Sequence, residues 1–118
     1  MGLDFGIERR RKGKNYEGLA WEECCSWRNC HEVKAIFEDT IEFNDKYIYP
    51  ISIGAMQILL KKLSDDLQGF DLSDTESLDT YNLKKLLCAI EDLSKIINEA
   101  LWDCQHGAEY EYRVFDSF

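Results

Sequence analysis

Proline is nearly missing from this chain: Pro50 is the single one in 118 residues. Proline-rich recognition tracts and long extended linkers are thereby excluded, and one continuous domain over residues 1–118 is expected. No run approaches the roughly 20 uninterrupted apolar residues of a membrane-spanning helix. The start of the chain lacks the basic-then-apolar order of a secretory signal, so a cytoplasmic location is expected. Also missing are a Cys-x2-Cys pair of the structural-zinc type and a glycine-rich phosphate loop. The chain therefore reads as a non-enzyme, with no catalytic residue, metal ligand or cofactor assigned.

What is present suffices for a core. Hydrophobic residues make up 45% and charged residues 31% of the chain, and a domain of this length buries roughly two thirds of the surface its unfolded chain exposes. The five cysteines are odd in number and unnecessary as staples, so they are read as reduced thiols. Helical spacing places Cys30 and Cys88 among apolar neighbours. Cys24, Cys25, Cys30 and His31, with Cys104 and His106, are the densest set of soft ligands. Adjacent helical residues point about 100° apart, so these would converge on a metal only if the first and last helices met. A thiolate at Cys24 or Cys25 would gain from a helix N-terminus and lose from Glu22 and Glu23.

Alternation marks the two ends. Leu3, Phe5 and Ile7 fall opposite Asp4, Gly6 and Glu8, and Tyr110, Tyr112 and Val114 fall opposite Glu109, Glu111 and Arg113, which predicts a pair of strands closing the chain on itself. Between them the spacing is helical. Trp27, Cys30, Val33, Ile36, Phe37 and Ile41 predict a helix over 22–40, whose outer face carries Glu32, Glu38 and Asp39. Arg9 to Gly18 is polar and glycine-punctuated, a loop leading from strand to helix. Phe43 to Ile51 reads as an extended segment that adds an edge strand. Ser52 is a suitable N-cap with Ile51 able to staple onto Met56, opening a helix with Met56, Leu59, Leu60, Leu63 and Leu67 inward.

Residues 68–80 are acidic and aperiodic, a loop. Asp79 or Thr80 then caps a final helix of about 39 Å, striped by Leu83, Leu86, Leu87, Ile90, Leu93, Ile97 and Leu101 and stopped at Gly107. The fold class is α+β: a small antiparallel sheet pairing the N- and C-terminal strands, covered by about three helices. Trp27 and Trp102 are expected in the core, and Trp21 is an exposed partner anchor. Pairs such as Asp65–Asp66 and Glu91–Asp92 do not face each other on a helix, so they read as solvated faces.

The net charge of −9 is uneven. Residues 1–14 carry Arg9, Arg10, Arg11, Lys12 and Lys14 against Asp4 and Glu8, a local +3 that leaves −12 for the rest. Such a body repels nucleic acid and membrane phosphates and suits a basic protein partner.

The opening Met1-Gly2-Leu3-Asp4, Trp27-Arg28 at a helix, Tyr47-Ile48-Tyr49 and the Ser52-led leucine helix resemble a family of small phage and prophage proteins that begin MGLD and carry a tryptophan–arginine helix. The resemblance covers roughly residues 1–67. It implies an origin on a mobile genetic element in a bacterial host, and such an acidic chain fits an inhibitor of a defence system, of the anti-CRISPR or related type.

Three readings follow. In the first, the chain binds and inhibits a host protein through Asp65, Asp66, Asp71, Asp74, Glu76, Asp79 and Trp21, docking onto a basic nucleic-acid-binding surface without touching nucleic acid or membrane. In the second, Arg9, Arg10, Arg11, Lys12, Lys14 and Tyr16 bind a nucleotide or signalling molecule. In the third, the chain is cysteine- or zinc-dependent. An unpaired terminal strand, or the outer side of the last helix, would suit a homodimer.

Overall fold

The computed structural model describes residues 4–13, 18, 20–28, 30–41, 48–69 and 77–117. The chain order is β1 (Asp4–Arg11), β2 (Glu22–Arg28), α1 (His31–Thr40), β3 (Ile48–Ile51), α2 (Ile53–Gln68), α3 (Ser77–Gln105) and β4 (Tyr110–Ser117). The four strands form one antiparallel sheet ordered β2-β1-β4-β3. The architecture is α+β, and the two terminal strands pair continuously from Asp4 opposite Ser117 to Arg11 opposite Tyr110.

Alternation decides which side of the sheet is covered. Phe5, Ile7, Trp27, Tyr49, Ile51, Tyr112 and Val114 are all buried on the helix side. Phe5, Trp27 and Phe37 of α1 form an aromatic cluster with ring centroids 5.1–5.5 Å apart, a separation at which tilted and edge-on rings attract. The indole of Trp27 donates from Nε1 to Asp92 Oδ2 at 3.0 Å, which satisfies a buried donor and ties β2 to α3. Gly6 permits the close approach of β1 and β2: a Cβ there would lie 2.1 Å from the Cys25 carbonyl oxygen and 2.8 Å from Phe115 Cζ.

The helices follow their sequence cues. Ser52 Oγ accepts from the Ala55 amide at 3.1 Å, and Met56, Leu59 and Leu63 are buried while Leu60 and Leu67 pack against the core edge. Helix α3 ends at Gln105 and is closed by Gly107, whose φ of +80° suits glycine, and the Ala108 amide donates back to the Asp103 carbonyl at 2.8 Å.

Several expectations need correction. Residues 22–28 form a strand, not the first turns of a helix: Cys, Ser and Trp are indifferent helix formers, and Cys25 and Trp27 alternate inward opposite Ile7 and Phe5. Trp27 and Cys30 fall three apart by coincidence of strand and helix. Arg9, Arg10 and Arg11 are strand residues, and the segment after them leads to a second strand rather than a helix. Helix α3 begins at Ser77, so Asp79 and Thr80 lie inside it, and its 29 residues span about 43 Å.

Its inward line uses Ala89, Ile96 and Ala100 beside Leu86, Leu93 and Ile97, and leaves Leu87, Leu101 and Trp102 exposed. Trp102 stacks on His106 at 3.8 Å instead of entering the core. Cys88 is exposed, although Cys30 is buried. The terminal strands are the centre of the sheet, so they offer no free edge for a dimer. The outer strands are β2, in which Cys24 is an extra residue of a bulge, and the four-residue β3 with Pro50.

One ion pair is held inside the fold. Asp116, on the helix side of β4, is 7% exposed, and Lys34 of α1 reaches it with Nζ–Oδ1 at 3.1 Å. Removing one partner strands the other charge in a poorly hydrated site. Lys34→Met is therefore expected to lose about 3 kcal/mol of stability, and K34M/D116L to regain most of it, as read by urea denaturation.

Candidate functional site

The basic stretch is divided by the alternation of β1. Arg9 points to the helix side, with Nη1 3.4 Å from Asp103 Oδ2, Nη2 3.8 Å from Glu22 Oε1 and its guanidinium 4.3 Å from the Tyr110 ring centroid. Burial opposes its charge, but the neighbouring Tyr112 hydroxyl and Glu22 outweigh this and raise its pKa above the ordinary value. Burial likewise raises the Tyr112 phenol, against the pull of Arg9. Arg9 Nε and the Tyr112 hydroxyl are nevertheless buried without a well-formed hydrogen bond.

Arg10 points to the open side of the sheet, where its Nε donates to Glu111 Oε1 at 2.8 Å. Arg113 pairs with Glu8 beside it. The Trp21 ring lies across both guanidiniums, 4.7 Å from that of Arg10 and 3.8 Å from that of Arg113. Trp21 is thus half-buried and already stacked, and each such contact is worth about 0.5–1 kcal/mol. Arg11 and Lys12 are exposed. Lys14 and Tyr16 lie outside the described residues, as do Leu3, Asp71, Asp74 and Glu76; Asp79 is placed only as a helical backbone position in α3.

The thiols are poorly prepared for chemistry. Burial first, then the nearby carboxylates, push Cys24 up to about 11 against the pull of Arg9. Burial pushes Cys25 up to about 12, opposed by the Ile7 backbone and aided by Asp92. Neither sits at a helix N-terminus, because the segment is a strand. Cys30 is also raised by burial, against Lys85. Among the described residues, no group of three or more His, Cys, Asp and Glu side chains converges to hold a metal ion. A hollow of about 190 Å³ between β2 and α3 brings together Glu22, Glu23, Asp92 and Glu99 with Arg9 and Lys95.

A wider, open groove of about 710 Å³ runs between α1 and α2. Its apolar part is Ala35 and Ile36, and its rim is Asp39, Asp65 and Asp66, with Lys62 reaching across to Asp39 at 3.4 Å. Asp39 lies in the last turn of α1, and Asp65 and Asp66 lie in the last turn of α2. Neither last turn holds a basic residue. The carbonyl end of a helix is the negative end of its dipole, so each exposed carboxylate there raises the free energy by roughly 0.3–1 kcal/mol at low salt. The last turns of two helices thus place three carboxylates around one open groove.

Sequence spacing identified Asp65 and Asp66, but it left Asp39 as a solvated position and did not join it to them. The usable signal was present in the acidic last turns, Glu38-Asp39 and Asp65-Asp66, each without a lysine or arginine.

No protein-family model, curated protein or solved structure matches the chain. Any functional reading therefore stands on the residues themselves.

The raised thiols set a pH dependence. Between the ordinary value of 9.0 and about 11–12, the folded chain keeps protons that the unfolded chain releases, so folding stability falls as pH rises through that window. Melting temperature is expected to hold just below pH 9 and drop above it. C24S/C25S should flatten that drop, and wild-type Cys24 and Cys25 should alkylate slowly at neutral pH.

Proposed function

We propose that the chain is a non-catalytic interaction protein that binds and inhibits a basic, nucleic-acid-handling protein of a bacterial host, in the manner of an anti-CRISPR or other anti-defence protein. The observation that carries this reading is the placing of Asp39, Asp65 and Asp66 around one groove, in the last turns of α1 and α2. Carboxylates placed where they cost stability are better explained by a partner's cations than by the fold. The acidic sequence after α2, Asp71, Asp74 and Glu76, extends the same charge along the chain. A negative surface of this kind also speeds encounter with a basic channel and displaces its phosphate-bearing ligand.

The nucleotide reading has less support, because Arg9 and Arg10 are already held by Asp103, Glu22 and Glu111. The cysteine reading has less again, because burial keeps the Cys24 and Cys25 thiols protonated at neutral pH.

The test is affinity capture from bacterial lysate, followed by a nucleic-acid-binding assay on the recovered partner. A salt-sensitive complex is expected, in which added chain lowers the partner's affinity for nucleic acid. Neutralising Asp65, Asp66, Asp71, Asp74, Glu76 and Asp79 together should release the partner. Retention by that variant, or a partner whose nucleic-acid binding is unaffected, would overturn the reading.

A further inference from the structure

We propose that the α1–α2 groove is the docking site, and that its occupant is a basic protein segment that seats an apolar side chain against Ala35 and Ile36 and its lysines or arginines against Asp39, Asp65 and Asp66. This rests on the interaction reading above and adds the place and the partner's chemistry.

Three features on the same surface choose that occupant. The rim is negative from two sources, carboxylates and helix carbonyl ends, and the last turns of α1 and α2 supply no cation of their own. Lys62 of α2 lays one ammonium across the groove onto Asp39, so the groove's lining of three aspartates and one lysine keeps a net charge of −2 that a basic segment complements. The groove is also not purely polar. Ile36 is half-buried and joins the core, while Ala35 is exposed beside it, so a partner with an apolar side chain next to its cations buries more than a bare ion does.

The other candidate occupants fit less well. A divalent cation wants three or more oxygen ligands already converging; among the described residues no such group forms, and Asp39 is engaged by Lys62. Nucleic acid is repelled by the rim.

The test uses the full chain, isotopically labelled, titrated with a short synthetic lysine–leucine peptide. Matched peptides carry glutamine for lysine or serine for leucine, and calcium chloride and a single-stranded oligonucleotide are titrated separately. The lysine–leucine peptide is expected to shift the amides of Ala35, Ile36, Asp39, Lys62, Asp65 and Asp66, and both matched peptides are expected to bind more weakly. D39N/D65N/D66N, and separately Ala35→Arg, should weaken binding by about tenfold or more. D39N/D65N/D66N should raise the melting temperature, since it relieves charge in the last turns of α1 and α2. A purely structural role for these carboxylates would lower it.

Shifts confined to another surface, unchanged affinity in both variants, or saturation of the same amides by calcium or the oligonucleotide would overturn the proposal. If the lysate partner stays on D39N/D65N/D66N, the groove is not its site and the interaction reading survives. If the wild type captures no partner while the peptide binds the groove as described, the groove stands and the inhibitor reading falls.

Discussion

Everything else in the molecule hangs on the pairing of β1 with β4. Residues 4–11 and 110–117 are joined along their whole length, and they are the two inner strands of the sheet, with β2 and β3 added outside them. Closing a loop of that length costs chain entropy before any contact repays it. The repayment is concentrated on the helix side, where Phe5, Ile7, Tyr112 and Val114 bury themselves under the three helices. The sheet's open side adds the Glu8–Arg113 and Arg10–Glu111 pairs in the same register. A slip by one residue would exchange the two sets and put charges into the core.

The same pairing explains where the arginines went. A run of Arg9, Arg10 and Arg11 looks in sequence like a solvated, ligand-seeking loop. As a strand it must send alternate residues to opposite faces, so Arg9 meets Asp103 and Tyr110 while Arg10 meets Glu111 and Trp21. These cations are used to hold the fold, whereas the carboxylates of the α1–α2 groove have a single lysine laid across them. The three helices together carry a net −4, against −1 for the four strands.

Legibility in the sequence followed the strength of local signals. Two-residue alternation at Phe5–Ile7 and Tyr112–Val114, the Ser52 cap and the Met56–Leu63 stripe each have a single structural solution, and each appears where the pattern places it. β2 was hidden because EECCSWR alternates weakly, and its Trp27 also lies three residues before Cys30 of the following helix. Its identity is fixed by the free edge of β1, a tertiary fact. Trp102 was misplaced because size suggested a core residue, whereas α3 lies close over the sheet through Ala89 and Ala100, and its outer side receives the ring. The site was only half legible: Asp65 and Asp66 are local, but their meeting with Asp39 depends on how α1 and α2 cross.

The two outer strands carry a further meaning. Cys24 bulges β2 out of regular register, and β3 is only four residues long, with a proline that has no amide to donate. A sheet bordered in this way resists extension by a foreign strand, because both outer ladders are interrupted where another chain would have to pair. Recognition that runs through side chains instead lets specificity change by surface substitution while the backbone ladder stays untouched.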